Sequence, residues 1–145
     1  RDGRLSSEEL TGSLCEGLLA AGCNVINLGQ ITTPILNFAI HHHAKSYCGV
    51  MVTASHNPGA YNGFKIIMQK AVVSSNEIQD LKGMMRANLY IQHAKGFCSS
   101  LDITPQYLDY ISENTEITYG FKLVIDGGNA VAGDIAATLS IAIIP

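Results

Sequence analysis

The stretch Gly49–Lys65 reads GVMVTASHNPGAYNGFK. Gly49–Ala54 forms an apolar run of the kind found in strands covered on both faces. It stops at Ser55-His56-Asn57-Pro58, and Asn62-Gly63 is a strong reversal signal before a second apolar run, FKIIM, at Phe64–Met68. Gly59 and Gly63 give the loop access to positive φ, so it can fold tightly and expose its amides. If the flanking strands pair, the loop neck brings Ser55 close to Lys65. Strand alternation then sets Lys65 on the face opposite Phe64 and Ile66, pointing into a site. A buried strand that ends by presenting a serine and a histidine suits an α/β sheet, where ligands gather beyond the carboxyl ends of strands.

Outward from this stretch, helical and strand periods alternate, which is the signature of an α/β protein. Ser6 with Glu9 fits a capping box, and Leu10, Leu14 and Leu18 make one helical face that ends at Gly22. CNVINLG at 23–29 is a short strand. Thr33-Pro34 supplies a cap and a first-turn proline for a helix running to about Lys45. After FKIIM, Ser74 or Ser75 opens a helix carrying Ile78, Leu81 and Met85. Residues 88–103 predict loop with one short strand. Thr104-Pro105 repeats the cap-plus-proline device before a helix with Leu108 and Ile111. FKLVID at 121–126 predicts a buried strand, GGN a tight turn, and AVAGDIAATL a small-residue helix. A domain boundary is expected at 115–121, where polar SENTEITYG separates a helix from a new strand.

The composition bounds the function. With 145 residues, 47% hydrophobic and 14% charged, the chain can bury one core, or one domain and part of another. A formal charge of −3 offers no attraction to nucleic acid or an anionic membrane surface. No apolar run approaches the roughly 20 residues of a membrane span. Cys15, Cys23, Cys48 and Cys98 lie far apart without a C-x-x-C pair, which predicts reduced, buried thiols in a cytoplasmic protein. The opening RDGR has no initiator Met or apolar h-region, and SIAIIP closes the chain where a strand is expected to continue. It therefore reads as part of something longer, without a signal peptide.

Several side-chain groups invite chemistry. A free serine hydroxyl needs a base, a metal or covalent activation. His56 is adjacent to Ser55, so in extended backbone the two side chains diverge, and no G-x-S-x-G elbow is present. A serine–histidine hydrolase pair is therefore not expected. A turn serine beside a solvated histidine and an activated Ser55 both stay open on residue types alone. DGGNAVAG at 126–133 suits a phosphate cradle or a tight β-α turn. It lacks the P-loop lysine and the full G-x-G-x-x-G spacing, which favours the turn. His41–His43 fan around a helix and cannot converge on one ion.

Four ordered blocks resemble one known family. TASHNPGAYNGFK at Thr53–Lys65 is similar to the active-site signature of the α-D-phosphohexomutases. RDGRLSSEEL at Arg1–Leu10 resembles that family's opening segment. GLLAAGCNVINLGQITTPILNFA at Gly17–Ala39 resembles its first β-α-β unit, and FKLVIDGGNAVAGDIA at Phe121–Ala136 the start of its second domain. The resemblance implies a mixed β-sheet sandwiched between helices over residues 1–117, followed over 118–145 by the first β-α unit of a second, similar domain. It implies reversible phosphoryl transfer between C1 and C6 of a hexose phosphate, mannose and/or glucose phosphate, through a hexose 1,6-bisphosphate. Ser55 matches the serine that carries the transferable phosphoryl group and that ligates Mg²⁺ through its phosphate. His56, Asn57 and Asn62 match residues that orient the loop. Lys65 matches a lysine suited to charge stabilisation or proton transfer.

The pattern departs from the family at Ala54, where Gly is frequent, and at Gly59-Ala60, where Pro-Asp or Pro-Glu often occurs. The aspartate-rich metal loop, the sugar loop, the C-terminal phosphate-binding domain and an arginine-bearing segment before Arg1 are not in this sequence. The resemblance thus predicts that most Mg²⁺ ligands and the partner domains lie elsewhere in a longer chain, and that this part alone is inactive. Two other functions compete: a phosphosugar-binding or regulatory module of the same fold, and a nucleotide-binding module at Asp126-Gly127-Gly128.

Overall fold

The structure is a computed structural model that describes residues 1–43, 47–91, 93–117, 120 and 122–143. Among the described residues, five helices and five short strands run in the order α1 (Ser7–Ala20), β1 (Val25–Asn27), α2 (Thr33–His42), β2 (Gly49–Val52), β3 (Phe64–Met68), β4 (Ala71–Val72), α3 (Ser75–Arg86), β5 (Cys98–Ser100), α4 (Thr104–Glu113), α5 (Ala132–Ile143). Both pairing modes are present. β1 pairs parallel with β5, Val25 opposite Cys98, while β2–β3–β4 is an antiparallel ladder with Met51 opposite Lys65 and Val52 opposite Phe64. Among the described residues the two ladders are not hydrogen-bonded to each other. α1 lays Leu14 and Leu18 over the gap between β1 and β2, which encloses an apolar cavity of about 260 Å³.

The core sits where α2 covers β2. Ile35, Leu36, Ala39 and Ile40 occupy one face of α2 and pack with Met51, Ile67, Ile31 and Ile103. Each fully buried branched side chain contributes about 1.5–3 kcal/mol. Met51 and Val52 are adjacent and both buried, so this end of β2 is covered on both faces, as its apolar run predicts. Phe38 stacks on His42 at 4.4 Å and meets Tyr107 and Tyr110 of α4, joining the two helices. His42 is thereby an aromatic packing residue, while the His41 ring donates to the Asn37 carbonyl at 2.8 Å.

The local signals succeed or fail for identifiable reasons. Gly22, at φ +84, closes α1 with a Schellman motif in which Cys23 N–H donates to Leu18 and Gly22 N–H to Leu19. Ser74 and Glu77 form a complete capping box. Ser6 and Glu9 do not: the Ser6 backbone is already helical, and its hydroxyl accepts from Asn62 Nδ2 at 3.0 Å. At α4 the N-cap is Ile103, which has no side-chain cap bond; Asp102, one residue earlier, accepts from Thr104 N at 3.0 Å through Oδ1, and Thr104 itself lies inside the helix. Thr33 likewise begins α2, with Thr32 as its cap residue. Helix α2 ends at His42; Lys45 lies outside the described residues.

Two further expectations change. Residues 122–126 form no strand, and Leu123, Val124 and Ile125 are exposed. An apolar run becomes a strand only against a partner, and no described strand pairs with it; Phe121 lies outside the described residues. The thiols, expected to be buried, are free, and Cys23, Cys48 and Cys98 are exposed; each stands at or near a strand end. α5 packs against α4, and Ile135 reaches the core.

Candidate functional site

Arg1 and Asp2 lie between the ends of β1 and β2. Ile31 N–H donates to the Arg1 carbonyl at 2.9 Å, and Asp2 N–H donates to Val52 at 3.0 Å. This insertion places Asp2 and Arg4 beneath the loop that follows β2. Thr53 N–H donates to Gly63 at 2.9 Å and closes the loop neck. Beyond it, Asn57 N–H returns to Ala54 and Tyr61 N–H to Pro58, two reversals that compact residues 54–61.

Ser55 has φ +55. A non-glycine residue held in the left-handed region stores strain that the surroundings must offset. Its N–H donates to Thr53 Oγ1 at 3.0 Å, and that hydroxyl donates to Asp2 Oδ2 at 2.7 Å. Asp2 also accepts from Arg4 N, Arg4 Nε and Ser7 Oγ. Burial opposes the Asp2 charge, but hydrogen bonds from Ser7, Thr53 and the Arg4 backbone, with the Arg4 charge, outweigh it and hold the carboxyl below its ordinary value. Arg4 spans the loop: Nη1 donates to the Pro58 and Tyr61 carbonyls at 2.9 and 3.2 Å, and Nη2 to Ser55 and Asn57 at 2.9 and 2.7 Å.

Ser55 Oγ stands 3.3 Å from His56 Nδ1. The expected divergence of these side chains assumed extended backbone; the left-handed turn at Ser55 swings them together instead. Among the described residues no carboxylate hydrogen-bonds to His56, so the orienting third member of a hydrolase triad is missing. Ser55, His56 and Asn57 share one cleft of about 900 Å³ with Gln30–Thr33 and with Gly127 and Asn129–Asp134. The 126–130 segment is a self-satisfied turn, with Gly128 N–H on Asp126 Oδ1 at 2.8 Å and Ala130 N–H on Gly127.

Asn62 and Lys65 are placed differently. Asn62 faces α1, donating to the Ser6 and Ser7 hydroxyls at 3.0 and 2.9 Å, while its own oxygen accepts from Gly63 N–H. It anchors the loop from behind. Lys65 is exposed in β3 opposite Met51 and does not line the cleft. The ladder continues two positions past it before the neck closes, which sets Lys65 about 7 Å below the loop. No group of three or more His, Cys, Asp or Glu able to hold a metal ion occurs among the described residues. Asp2 and Arg4 are the site residues that sequence reasoning did not single out; they lie 51 to 57 positions from their loop partners, beyond any periodicity.

A family profile described as phosphoglucomutase/phosphomannomutase, alpha/beta/alpha domain I, matches residues 1–90. The chain is 39% identical over 139 residues to a phosphomannomutase/phosphoglucomutase of Pseudomonas aeruginosa, covering 96% of this chain and 30% of that protein. A phosphoglucomutase of Neisseria gonorrhoeae is 36% identical over 140 residues, with 96% and 30% covered. The crystal structure of a phosphoglucomutase/phosphomannomutase family protein from Burkholderia thailandensis superposes with a TM-score of 0.92 at 36% identity, over 99% of this chain and 32% of that one. The chain thus spans about a third of the length of the relatives it matches.

Proposed function

The chain belongs to the phosphoglucomutase/phosphomannomutase family, and on that footing we propose that it is the phosphoryl-carrying part of a phosphohexomutase. The observation that carries the reading is Ser55: a strained, left-handed serine at the carboxyl end of β2, held from below and opening into a large cleft. Residues 1–117 form the carrier domain and 118–145 begin a second unit. The reaction exchanges phosphate between C1 and C6 of glucose or mannose phosphate, in the cytoplasm. It needs the remaining two thirds of the protein, so the isolated chain is inactive.

In the first half-reaction, the free hydroxyl oxygen of the hexose phosphate attacks the phosphorus on Ser55. The new sugar O–P bond forms as the P–Oγ bond breaks; the hydroxyl proton is lost and Ser55 Oγ regains one. The hexose 1,6-bisphosphate then turns over in the site. In the second half-reaction Ser55 Oγ attacks its other phosphate, and the sugar oxygen is released. Pre-phosphorylation makes a strong general base for Ser55 unnecessary in the forward step, which fits a His56 with no carboxylate behind it.

His56 and Asn57 border the phosphate on the loop, and Asn62 fixes the loop to α1. Lys65 is assigned to charge stabilisation or proton transfer, through a flexible stem and an exposed ammonium. Family membership suggests Mg²⁺. Among the described residues no group of three or more His, Cys, Asp or Glu could hold the ion, and the phosphate oxygens of Ser55 would be this chain's contribution to it. The test is peptide mass analysis of the full-length protein with assay of Ser55→Ala. Phosphate on Ser55 and loss of mutase activity in the variant are expected. Full activity in the variant, with Ser55 never phosphorylated, would overturn the proposal.

A further inference from the structure

We propose that Arg4 is a positioning residue for this transfer, acting through main-chain oxygens to hold Ser55 and to aim the loop amides at the phosphate. The proposal rests on Ser55 being the phosphoryl carrier. An arginine beside a phosphate-handling cleft ordinarily reads as a phosphate ligand. Here its five N–H groups are committed: two on each Nη meet the carbonyls of Ser55, Asn57, Pro58 and Tyr61, and Nε meets Asp2. Its side chain is 14% exposed. Arg4 therefore has no donor left for a substrate without releasing the loop.

Planarity of the peptide turns this clamp into an orienting device. In a trans peptide the carbonyl and the following N–H point in opposite directions. Drawing the Ser55 and Pro58 carbonyls toward Arg4 directs the N–H groups of His56 and Gly59 away from it, and both of those residues line the cleft. Between them the Asn57 N–H is taken by the Ala54 carbonyl and Pro58 has no N–H, so His56 and Gly59 supply the two main-chain donors that this stretch can turn toward an anion. Arg4 thus fixes at once the backbone of the serine, through its carbonyl, and the main-chain donors on its cleft side. Asp2 completes the unit by gripping both Arg4 Nε and Thr53 Oγ1, the acceptor of the Ser55 N–H.

The planar fork matters here beyond its charge, since an ammonium cannot meet four diverging carbonyls and a carboxylate together. The experiment uses the full-length protein with glucose 1-phosphate and mannose 1-phosphate as probes, each with its 1,6-bisphosphate. Arg4→Lys and Arg4→Ala are compared with wild type after circular dichroism has established the folded fraction. Per folded molecule, kcat is expected to fall about 100-fold, as for misplacement of a reacting group by about 1 Å. KM should stay within about two-fold, and the fraction of Ser55 carrying phosphate should fall. Millimolar guanidinium should restore part of the activity of Arg4→Ala and none of Ser55→Ala.

A rise in KM at unchanged kcat would make Arg4 a substrate ligand and overturn the proposal. Wild-type turnover per folded molecule, with only a lower melting temperature, would make it purely structural and overturn it too. Absence of phosphate on Ser55 in the wild-type control would instead refute the carrier reading itself, so the two failures are told apart.

Discussion

Replacing Ser55 by Gly should stabilise the protein while abolishing phosphoryl transfer, and the comparison with Ser55→Ala gives the effect a sign. At φ +55 a side chain with a Cβ costs about 1–2 kcal/mol relative to ordinary helical or extended backbone. Glycine escapes that cost but gives up about 0.5–1 kcal/mol in unfolded-state entropy. The lost hydroxyl counts for little, because its contact with His56 is long, at 3.3 Å, and exposed. Ser55→Gly should therefore exceed Ser55→Ala in stability by about 0.7 kcal/mol. For 145 residues, about 2.1 cal/mol/K of unfolding entropy per residue gives about 0.3 kcal/mol per degree, and hence a gap of about 2 °C. The assay is thermal melting of the two variants and of phosphatase-treated wild type. Were Ser55 in ordinary backbone, alanine would win by about 0.5–1 kcal/mol. An Ala variant as stable as the Gly variant, or more so, refutes the reasoning.

Asp2 predicts an acid limb. Its folded-state pKa is lowered, so the stability it confers is present above its unfolded value and is lost as the pH falls through the folded one. Urea midpoints measured between roughly pH 3 and pH 6 should fall more steeply in wild type than in Asp2→Asn; parallel curves would exclude the carboxylate as the cause. Gly49→Ala would place a Cβ 2.6 Å from Ile40 Cδ1 and 3.1 Å from Leu36 Cδ1. A loss of about 1–3 kcal/mol is expected, and Ile40→Val in the same chain should recover part of it; additive losses in a double-mutant cycle would show that the clash is not with Ile40.

What the sequence disclosed was whatever depends on near neighbours. Gly22 and Ser74 with Glu77 act within four or five residues, and each appears as read. Asn62-Gly63 does not make the reversal its residue types suggest, because the chain turns earlier, at Ala54–Asn57 and Pro58–Tyr61, and Gly63 stays in register with Thr53. Ser6 carries the same cap chemistry as Ser74, yet Asn62, 56 positions away, takes its hydroxyl. The β2 and β3 runs were legible from composition, whereas the rung that puts Lys65 below the neck depends on register. The run at 122–126 shows the same limit: its apolar residues name a strand, but a strand is a property of a pair. Asp2 and Arg4 escaped notice because a short polar segment at 1–4 has no period, and its meaning lies wholly in the partners that folding brings to it.

The Arg4 clamp also bears on how the loop can drift. All four loop oxygens it holds belong to the main chain, so the grip is blind to the side chains at 57, 58 and 61. A bulkier or charged residue at Gly59 or Ala60 then needs no compensating change at position 4. Variation can accumulate along the outer rim of the loop, tuning what approaches the serine, while the geometry of the serine is inherited unchanged.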